Sequence, residues 1–277
     1  MLLIIGIALL KRFDLRWETI NLDKSHKNSL RLLISRPGPP LSTLVQGVWS
    51  ASVVQASPLE KTLHADAGSG VIFNLSGEVT IDNETLTEGI IMLPVKSKAG
   101  NVLFTSGAKL AGIRFHPAAG YSVMMQHYDK PTLLTPEQDN HSFYQIYSEL
   151  RIKKDNKSRV KAIYQWTAHT LKAVDTIPDS LEQALKLIGQ VETLAALSAQ
   201  INMSQRQIER HFRLWLGITP KHYQRILRAK AAIDFLRKHS KANLAEVAFL
   251  FGYSDQAHMT REFHQIACVT PGRIKLS

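Results

Sequence analysis

The strongest constraint on this chain is a pattern written twice in its last hundred residues. VETLAALSAQINMSQRQIERHFRLWLGITP is followed by NLAEVAFLFGYSDQAHMTREFHQIACVTP. Each copy opens with an amphipathic stretch carrying small residues, Leu194, Ala195 and Leu197 in the first and Leu244, Val247, Ala248 and Leu250 in the second. Each then breaks at a tight turn, Ile201-Asn202-Met203 or Gly252-Tyr253. The turn ends at a residue whose side-chain oxygen can accept the next helix's free N–H groups, Ser204 or Ser254/Asp255. Each second stretch repeats apolar residues at helical spacing, Ile208, Phe212 and Trp215, then Met259, Phe263 and Ile266. Two helices joined by so short a turn make a helix-turn-helix, whose second helix can enter a DNA major groove.

The polar positions at the start of each second helix are therefore the candidate base readers. They are Gln205, Arg206, Glu209 and Arg210 behind Ser204, and Gln256, Ala257, His258, Thr260 and Arg261 behind Ser254. Arginine can donate two hydrogen bonds to guanine and glutamine can pair with adenine, each discriminating by roughly 1–3 kcal/mol. Lysines, arginines and capped helix N-termini would hold phosphates. Between the copies runs Thr219–Lys238, with Thr219 as cap, Pro220 at the first helical position and an end near His239-Ser240. A helix of that size spans about 30 Å, close to one duplex turn of about 34 Å. One chain could so set two readers into successive grooves on one face of DNA. Leu227, Ile233 and Leu236 are expected to point inward, and Lys221, Arg225, Arg228, Arg237 and Lys238 to stay solvated or near phosphate.

Charge agrees with a polyanionic partner. The 277 residues carry 34 Lys and Arg against 23 Asp and Glu, a formal net charge of +11. Residues 1–150 hold 13 of each sign, so the whole surplus lies in the C-terminal half. That reads as a neutral domain joined to a polyanion-binding one. Cys268 is the only cysteine, which excludes an internal disulfide and a cysteine metal cluster and fits a reducing cytoplasm. The apolar run MLLIIGIALL is too short for a membrane span, which needs about 20 residues. It lacks the basic lead and small-residue cleavage site of a signal peptide. It is read as a strand or an upstream extension, with no stable membrane association.

From about Arg31 to Leu134 the text is strand-like. Val45–Val54, Gly70–Leu75, Glu78–Ile81, Ile90–Val95, Asn101–Phe104 and Ala111–Phe115 alternate with turn signals such as Ser76-Gly77 and Asp82-Asn83. Such spacing suggests a sandwich or barrel. Tyr121–Tyr128 begins a short helix. Phe143–Ile152 and Val160–Val174 have helical periodicity, separated by the polar stretch 151–161, and Ile177-Pro178 marks a boundary after which Asp179 or Ser180 can cap. The expected class is α+β: an N-terminal β-rich, jelly-roll-like domain followed by an all-α domain with two helix-turn-helix units on a long helix. The expected divisions are an extension at 1–30, a sensor or dimerisation domain at 31–140, a helical linker or dimerisation region at 141–178 and the DNA reader at 179–277.

Residues 181–275 resemble the DNA-binding domain of the AraC/XylS family. The resemblance is carried by LAALSAQINMSQRQIERHFRLWLGITPKHYQRILRAKAAIDFL and LAEVAFLFGYSDQAHMTREFHQIACVTP, above all by the Gly-Tyr-Ser-Asp-Gln-Ala-His stretch and the paired Gly-Ile-Thr-Pro and Cys-Val-Thr-Pro ends. It implies an activator or repressor with an N-terminal effector or dimerisation domain. It places base reading on Arg206 and Arg210, and on Gln256, Thr260 and Arg261. Its implied partners are duplex DNA, a small-molecule effector, a second copy of the chain and, for an activator, RNA polymerase. One departure is Cys268, standing where the family has glycine, as at Gly217; a left-handed backbone there would be strained. The end at Ser277 would also shorten the last helix. RPGPPLSTLVQGVWSASV and LAGIRFHPAAGYSVM resemble the N-terminal domain of one subgroup of that family, β-rich and similar to the cupin-type sensor domain, without specifying a ligand.

Other chemistry has little to stand on. His64 and His116 are the natural metal suspects, but the pair of histidines one residue apart that marks cupin metal sites is missing. There is no nucleotide-binding Gly-x-Gly-x-x-Gly and no Gly-x-Ser-x-Gly nucleophile elbow. Neither a cofactor nor catalysis is expected. An enzyme fused to a DNA reader, as in methyl-transfer repair, would need a nucleophilic cysteine, and the lone Cys268 sits inside the second copy. A helical protein-interaction module with an incidental basic face is the remaining alternative. Trp49, Phe73, Phe104, Phe115 and Tyr121 are the candidates to line an effector pocket, with core packing the favoured alternative.

Overall fold

In the computed structural model, residues 29–171 and 177–275 are described; the apolar run at residues 1–10 and the end of the expected helix at 172–174 lie outside them. The chain divides into two compact units. One comprises most of the N-terminal part up to Thr176. The other comprises Ile177–Ser277 together with residues 62–67 and 96–100.

Among the described residues the first unit is built on ten strands, with the last two residues of β3 and the first of β8 belonging to the second unit: β1 (Leu30–Ser35), β2 (Val45–Val53), β3 (Leu59–Leu63), β4 (Gly70–Ser76), β5 (Val79–Ile81), β6 (Glu84–Leu86), β7 (Gly89–Leu93), β8 (Gly100–Phe104), β9 (Lys109–Phe115) and β10 (Thr132–Leu133). They form a six-stranded sheet in the order β1-β2-β9-β4-β7-β10 and a four-stranded sheet in the order β3-β8-β5-β6. The chain passes from one sheet to the other repeatedly, as in a jelly roll. All six strands read from the sequence form. β1, β3, β6 and β10 escaped that reading, because short or mixed-polarity strands have little periodicity of their own and are made by their partners' register. The Asp82-Asn83 turn forms as its chemistry requires. Both residues have positive φ, 50° and 73°, which closes the two-residue hairpin joining Ile81 to Glu84.

Among the described residues three α-helices join this unit: α1 (Ala119–Met124), α2 (Phe143–Ile152) and α3 (Asn156–Thr170). The last starts four residues earlier than its periodicity suggests, because Asp155 accepts the Ser158 N–H at 2.8 Å and caps it. The helical region expected as a linker or dimerisation element shares the sheet's core: Phe143, Ile146, Leu150, Val160 and Ile163 pack with Val48, Val71, Phe73, Ile113 and Phe115. Asn156 pins α3 to the sheet, accepting from the Ser50 and Ser52 hydroxyls at 3.0 Å each and donating to the Arg31 carbonyl at 2.9 Å.

This packing places the five aromatic rings of the candidate pocket. Phe73 and Phe115 are fully buried, with Phe73 against Phe143 at 6.3 Å between ring centroids. Trp49 pairs with Gly112, and Gly112 with Ile72, whereas Phe73 pairs with Ala111. The pleat therefore sets Trp49 on the opposite sheet face from Phe73. A Cβ on Gly112 would come within 2.6 Å of the Trp49 ring, so glycine is what lets the indole lie on the strand. Phe104 is buried in the four-stranded sheet, and Tyr121 on α1 stacks on His127 at 5.0 Å.

The second unit holds seven helices: α4 (Asp179–Leu187), α5 (Leu194–Ile201), α6 (Gln205–Leu216), α7 (Pro220–Lys238), α8 (Leu244–Leu250), α9 (Gln256–Ala267) and α10 (Pro271–Lys275). α7 is the spine, packing on α6 at one end of the chain order and on α8, α9 and α10 at the other. Its buried stripe is Tyr223, Ile226, Ala229, Ala232, Ile233 and Leu236. Leu227, expected inward, is only half-buried, because it lies one position off that three-and-four spacing. Pro178 rather than Asp179 or Ser180 occupies the N-cap of α4, with no side-chain cap. Among the described residues no helix is long and apolar enough to cross a membrane, and no three His, Cys, Asp or Glu gather as a metal site.

Candidate nucleic-acid interface

The two helix-turn-helix units form at the expected places, each from its own local chemistry. α5 ends at Asn202 in the left-handed region with φ 53°. Asparagine tolerates that conformation. The Met203 N–H then closes on the Ser198 carbonyl at 3.3 Å, and the Ser198 hydroxyl donates to the Met203 carbonyl. Ser204 starts α6 through a capping box. Its hydroxyl accepts the Gln207 N–H at 3.3 Å while the Gln207 side chain accepts the Ser204 N–H at 2.8 Å. The second unit turns at Gly252, φ 69°, with the Tyr253 N–H on the Ala248 carbonyl at 2.9 Å. Asp255 caps α9 by accepting the His258 N–H at 2.6 Å. That hydrogen bond, first among its causes, holds the Asp255 carboxyl below its ordinary pKa.

From the caps onward the two second helices run in step: each position of α6 recurs 51 residues later in α9, from Gln205 and Gln256 to Gly217 and Cys268. Ile208 and Phe212 are fully buried under α6, and Met259 and Phe263 under α9. Trp215 is only half-buried, its expected place in the core being taken by Leu216. Ser204, Gln205, Arg206, Glu209 and Arg210 are all exposed, as are Ser254, Gln256, Ala257 and Arg261. His258 and Thr260 are half-buried. The His258 ring faces Tyr253 edge-on at 5.4 Å, with its Nδ1 3.1 Å from the Ser254 hydroxyl. The Thr260 hydroxyl donates to the Gln256 carbonyl one turn back at 2.8 Å, so the hydroxyl is engaged within its own helix. Arg213, which the sequence reading passed over, extends the exposed basic edge of α6.

Both helices end on left-handed residues, Gly217 at φ 66° and Cys268 at φ 50°. The strain expected at Cys268 is present. Thr219 caps α7 by accepting the His222 N–H at 3.2 Å, and the 19 residues of α7 make it about 28 Å long. Leu250, expected to bury, is 62% exposed, and its neighbour Phe249 87%. Val247 and Ala248 occupy the inward face of so short a helix, leaving the next two positions outside.

Two arginines of α7 are not where the sequence put them. Arg225 and Arg228, expected in solvent or near phosphate, turn inward to Glu262 on α9. The Arg225 Nε donates to both Glu262 oxygens at 3.1 and 3.0 Å, and its Nη2 to Oε1 at 2.7 Å. Arg228 brings Nη2 within 3.8 Å of Oε2, donates Nη1 to the Gly252 carbonyl at 3.2 Å and lies 4.6 Å above the Tyr253 ring. Burial works to raise the Glu262 pKa, but the hydrogen bonds and charge of Arg225, with the charge of Arg228, outweigh it and hold the carboxyl low. The hydrogen bond to Glu262 in turn raises the Arg225 pKa. Burial pushes the Tyr253 phenol up to about 12. At the matching place in α6 stands His211, whose pKa is lowered by burial and by the neighbouring Arg210 charge.

Residues 197–276 match the family described as "Helix-turn-helix domain". Over 70 residues the chain is 34% identical to the transcriptional activator RhaS of Shigella boydii and 33% identical to RhaS of Escherichia coli O139:H28. Each alignment spans 25% of this chain and 25% of the relative. Among solved structures, ToxT from Vibrio cholerae aligns with 79% of this chain and 98% of its own at 11% identity, with a TM-score of 0.41. The AraC-like activator CuxR aligns with 73% of this chain and 81% of its own at 13% identity, with a TM-score of 0.29.

Proposed function

We propose that this chain, which matches a helix-turn-helix domain family in its C-terminal part, is a sequence-specific DNA-binding regulator of transcription of the AraC type. In this reading α6 and α9 enter successive major grooves. The observation that carries it is the repetition at the leading ends of the two helices: capped N-termini, buried undersides, and exposed Arg210 and Arg261 at the same helical position. Arg206, Gln205 and Glu209 would flank the first contact, and Gln256, Ala257, His258 and Thr260 the second. The length of α7, about 28 Å, suits a spacing near one duplex turn of about 34 Å. The positive surplus of the C-terminal half would draw the domain to DNA before any base is read.

The first unit is the input side of this reading, through a small-molecule effector, self-association or both. RNA polymerase is the partner if the protein activates, and the cytoplasm is where it works. Its test uses the full chain. Genomic fragments retained at low salt are sequenced, and retention is followed as salt rises. Enrichment of one motif with two half-sites about one helical turn apart, lost steeply with salt, is expected. Retention without any sequence enrichment, or none at low salt, overturns it.

A further inference from the structure

The face that α9 presents inward carries Met259, Glu262, Phe263 and Ile266, all buried. A carboxylate in that stripe is costly unless it is paired and hydrogen-bonded. Glu262 is both, through Arg225 and Arg228 of α7. Arg225 grips the carboxylate from the side and also donates to the Gln265 oxygen at 2.7 Å. Arg228 reaches the other carboxylate oxygen and, through Gly252 and Tyr253, the turn itself. Interdigitated apolar side chains hold a helix by shape, without a directional bond. A guanidinium held to a carboxylate by paired hydrogen bonds has one geometry.

We infer that Glu262, Arg225 and Arg228 form a positioning clamp that sets the rotation of the second reading helix, so that Gln256, Thr260 and Arg261 face the bases of one half-site. The inference rests on the DNA-binding reading above. It makes Arg225 and Arg228 internal fasteners rather than phosphate contacts. It also predicts an asymmetry, because the first reader has His211 at the equivalent position and meets α7 through the rings of Phe212 and Tyr223, 5.8 Å apart. The clamp would thus tune one half-site only.

The test is a binding series with the full chain on a DNA fragment it selects, carrying single base-pair changes in either half-site. Glu262→Gln keeps the shape of the side chain and removes its charge, and Arg225→Gln removes the fork from the other side. Each variant is expected to lose about tenfold in discrimination at the half-site read by α9, the scale of coupling within one ion-pair network. Discrimination at the other half-site and the slope of affinity against salt should stay as in the parent. The double variant should lose no more than either single one. Equal losses at both half-sites, a salt slope lower by about one in Arg225→Gln as a lost phosphate contact would give, or unchanged discrimination in Glu262→Gln would each overturn the clamp. Failure of the unsubstituted protein to discriminate any base pair would instead remove the DNA-binding reading, and the clamp with it.

Discussion

The two helix-turn-helix units solve one problem with different fastenings. The first is held by local chemistry: a capping box at Ser204 and Gln207, a glycine at its end and an apolar underside meeting Tyr223 of α7. The second has an aspartate cap, a strained Cys268 in place of glycine, and a buried carboxylate tied to α7 37 positions earlier in the chain. A repeated motif therefore need not mean a repeated energetic design. A copy whose local signals are weaker can take its orientation from a long-range ion pair.

The largest test of this comparison lies in the shared part. Phe212→Ala and Phe263→Ala each empty a fully buried ring position and should cost about 3–5 kcal/mol by denaturant unfolding. A much smaller loss at Phe263 would mean that the ion pairs, not packing, hold α9. Next come the two buried phenols. Burial raises Tyr223, beside Phe212, and Tyr253, beside Phe263, to about 12. An unfolded phenol ionises near pH 10. The stability that goes with the raised folded value is fully present below pH 10 and is lost as pH rises from 10 to about 12. Each phenol contributes about 2–3 kcal/mol in this way. Tyrosinate absorbance should therefore rise together with unfolding, and a Tyr253 that ionises near 10 in the folded state would show its half of the domain open to water.

Arg210→Ala and Arg261→Ala should each remove roughly 1–3 kcal/mol of base discrimination, each in its own half-site. Footprints with the same base preference after both changes would break the assignment of the two readers. Replacing a cap, Ser204→Ala or Asp255→Ala, should lower stability by about 1 kcal/mol. Asp255 has the larger effect expected, because its charge also meets the positive end of α9. The smallest effect sharpens the contrast between the helix ends. Cys268→Gly should stabilise by up to about 1 kcal/mol by relieving the left-handed backbone, and Gly217→Ala should destabilise by a similar amount, both read from thermal midpoints.

Much of the reader was legible because its signals are local. Caps at Ser204, Asp255 and Thr219, turns at Asn202 and Gly252, and the buried Ile208, Phe212, Met259 and Phe263 each follow from residues within a turn or two of one another. Leu227, Leu250 and Trp215 were misplaced because periodicity fixes a stripe only to within about one residue in short or nearly uniform helices. In the β-rich unit the long apolar strands announced themselves, while β1, β3, β6 and β10 depend on neighbours supplied by distant sequence.

The chain's own text decided that there are two capped helices with exposed arginines, a spacer of set length between them, and a neutral β-rich half, because caps, turn residues and charge act over a few positions. Tertiary structure alone decided that Arg225 and Arg228 close on Glu262 and that Phe73 and Trp49 point to opposite faces of one sheet. Those outcomes depend on which elements meet and in what register. Hydrogen bonds and packing between residues far apart in the chain settle that, and no local pattern records it.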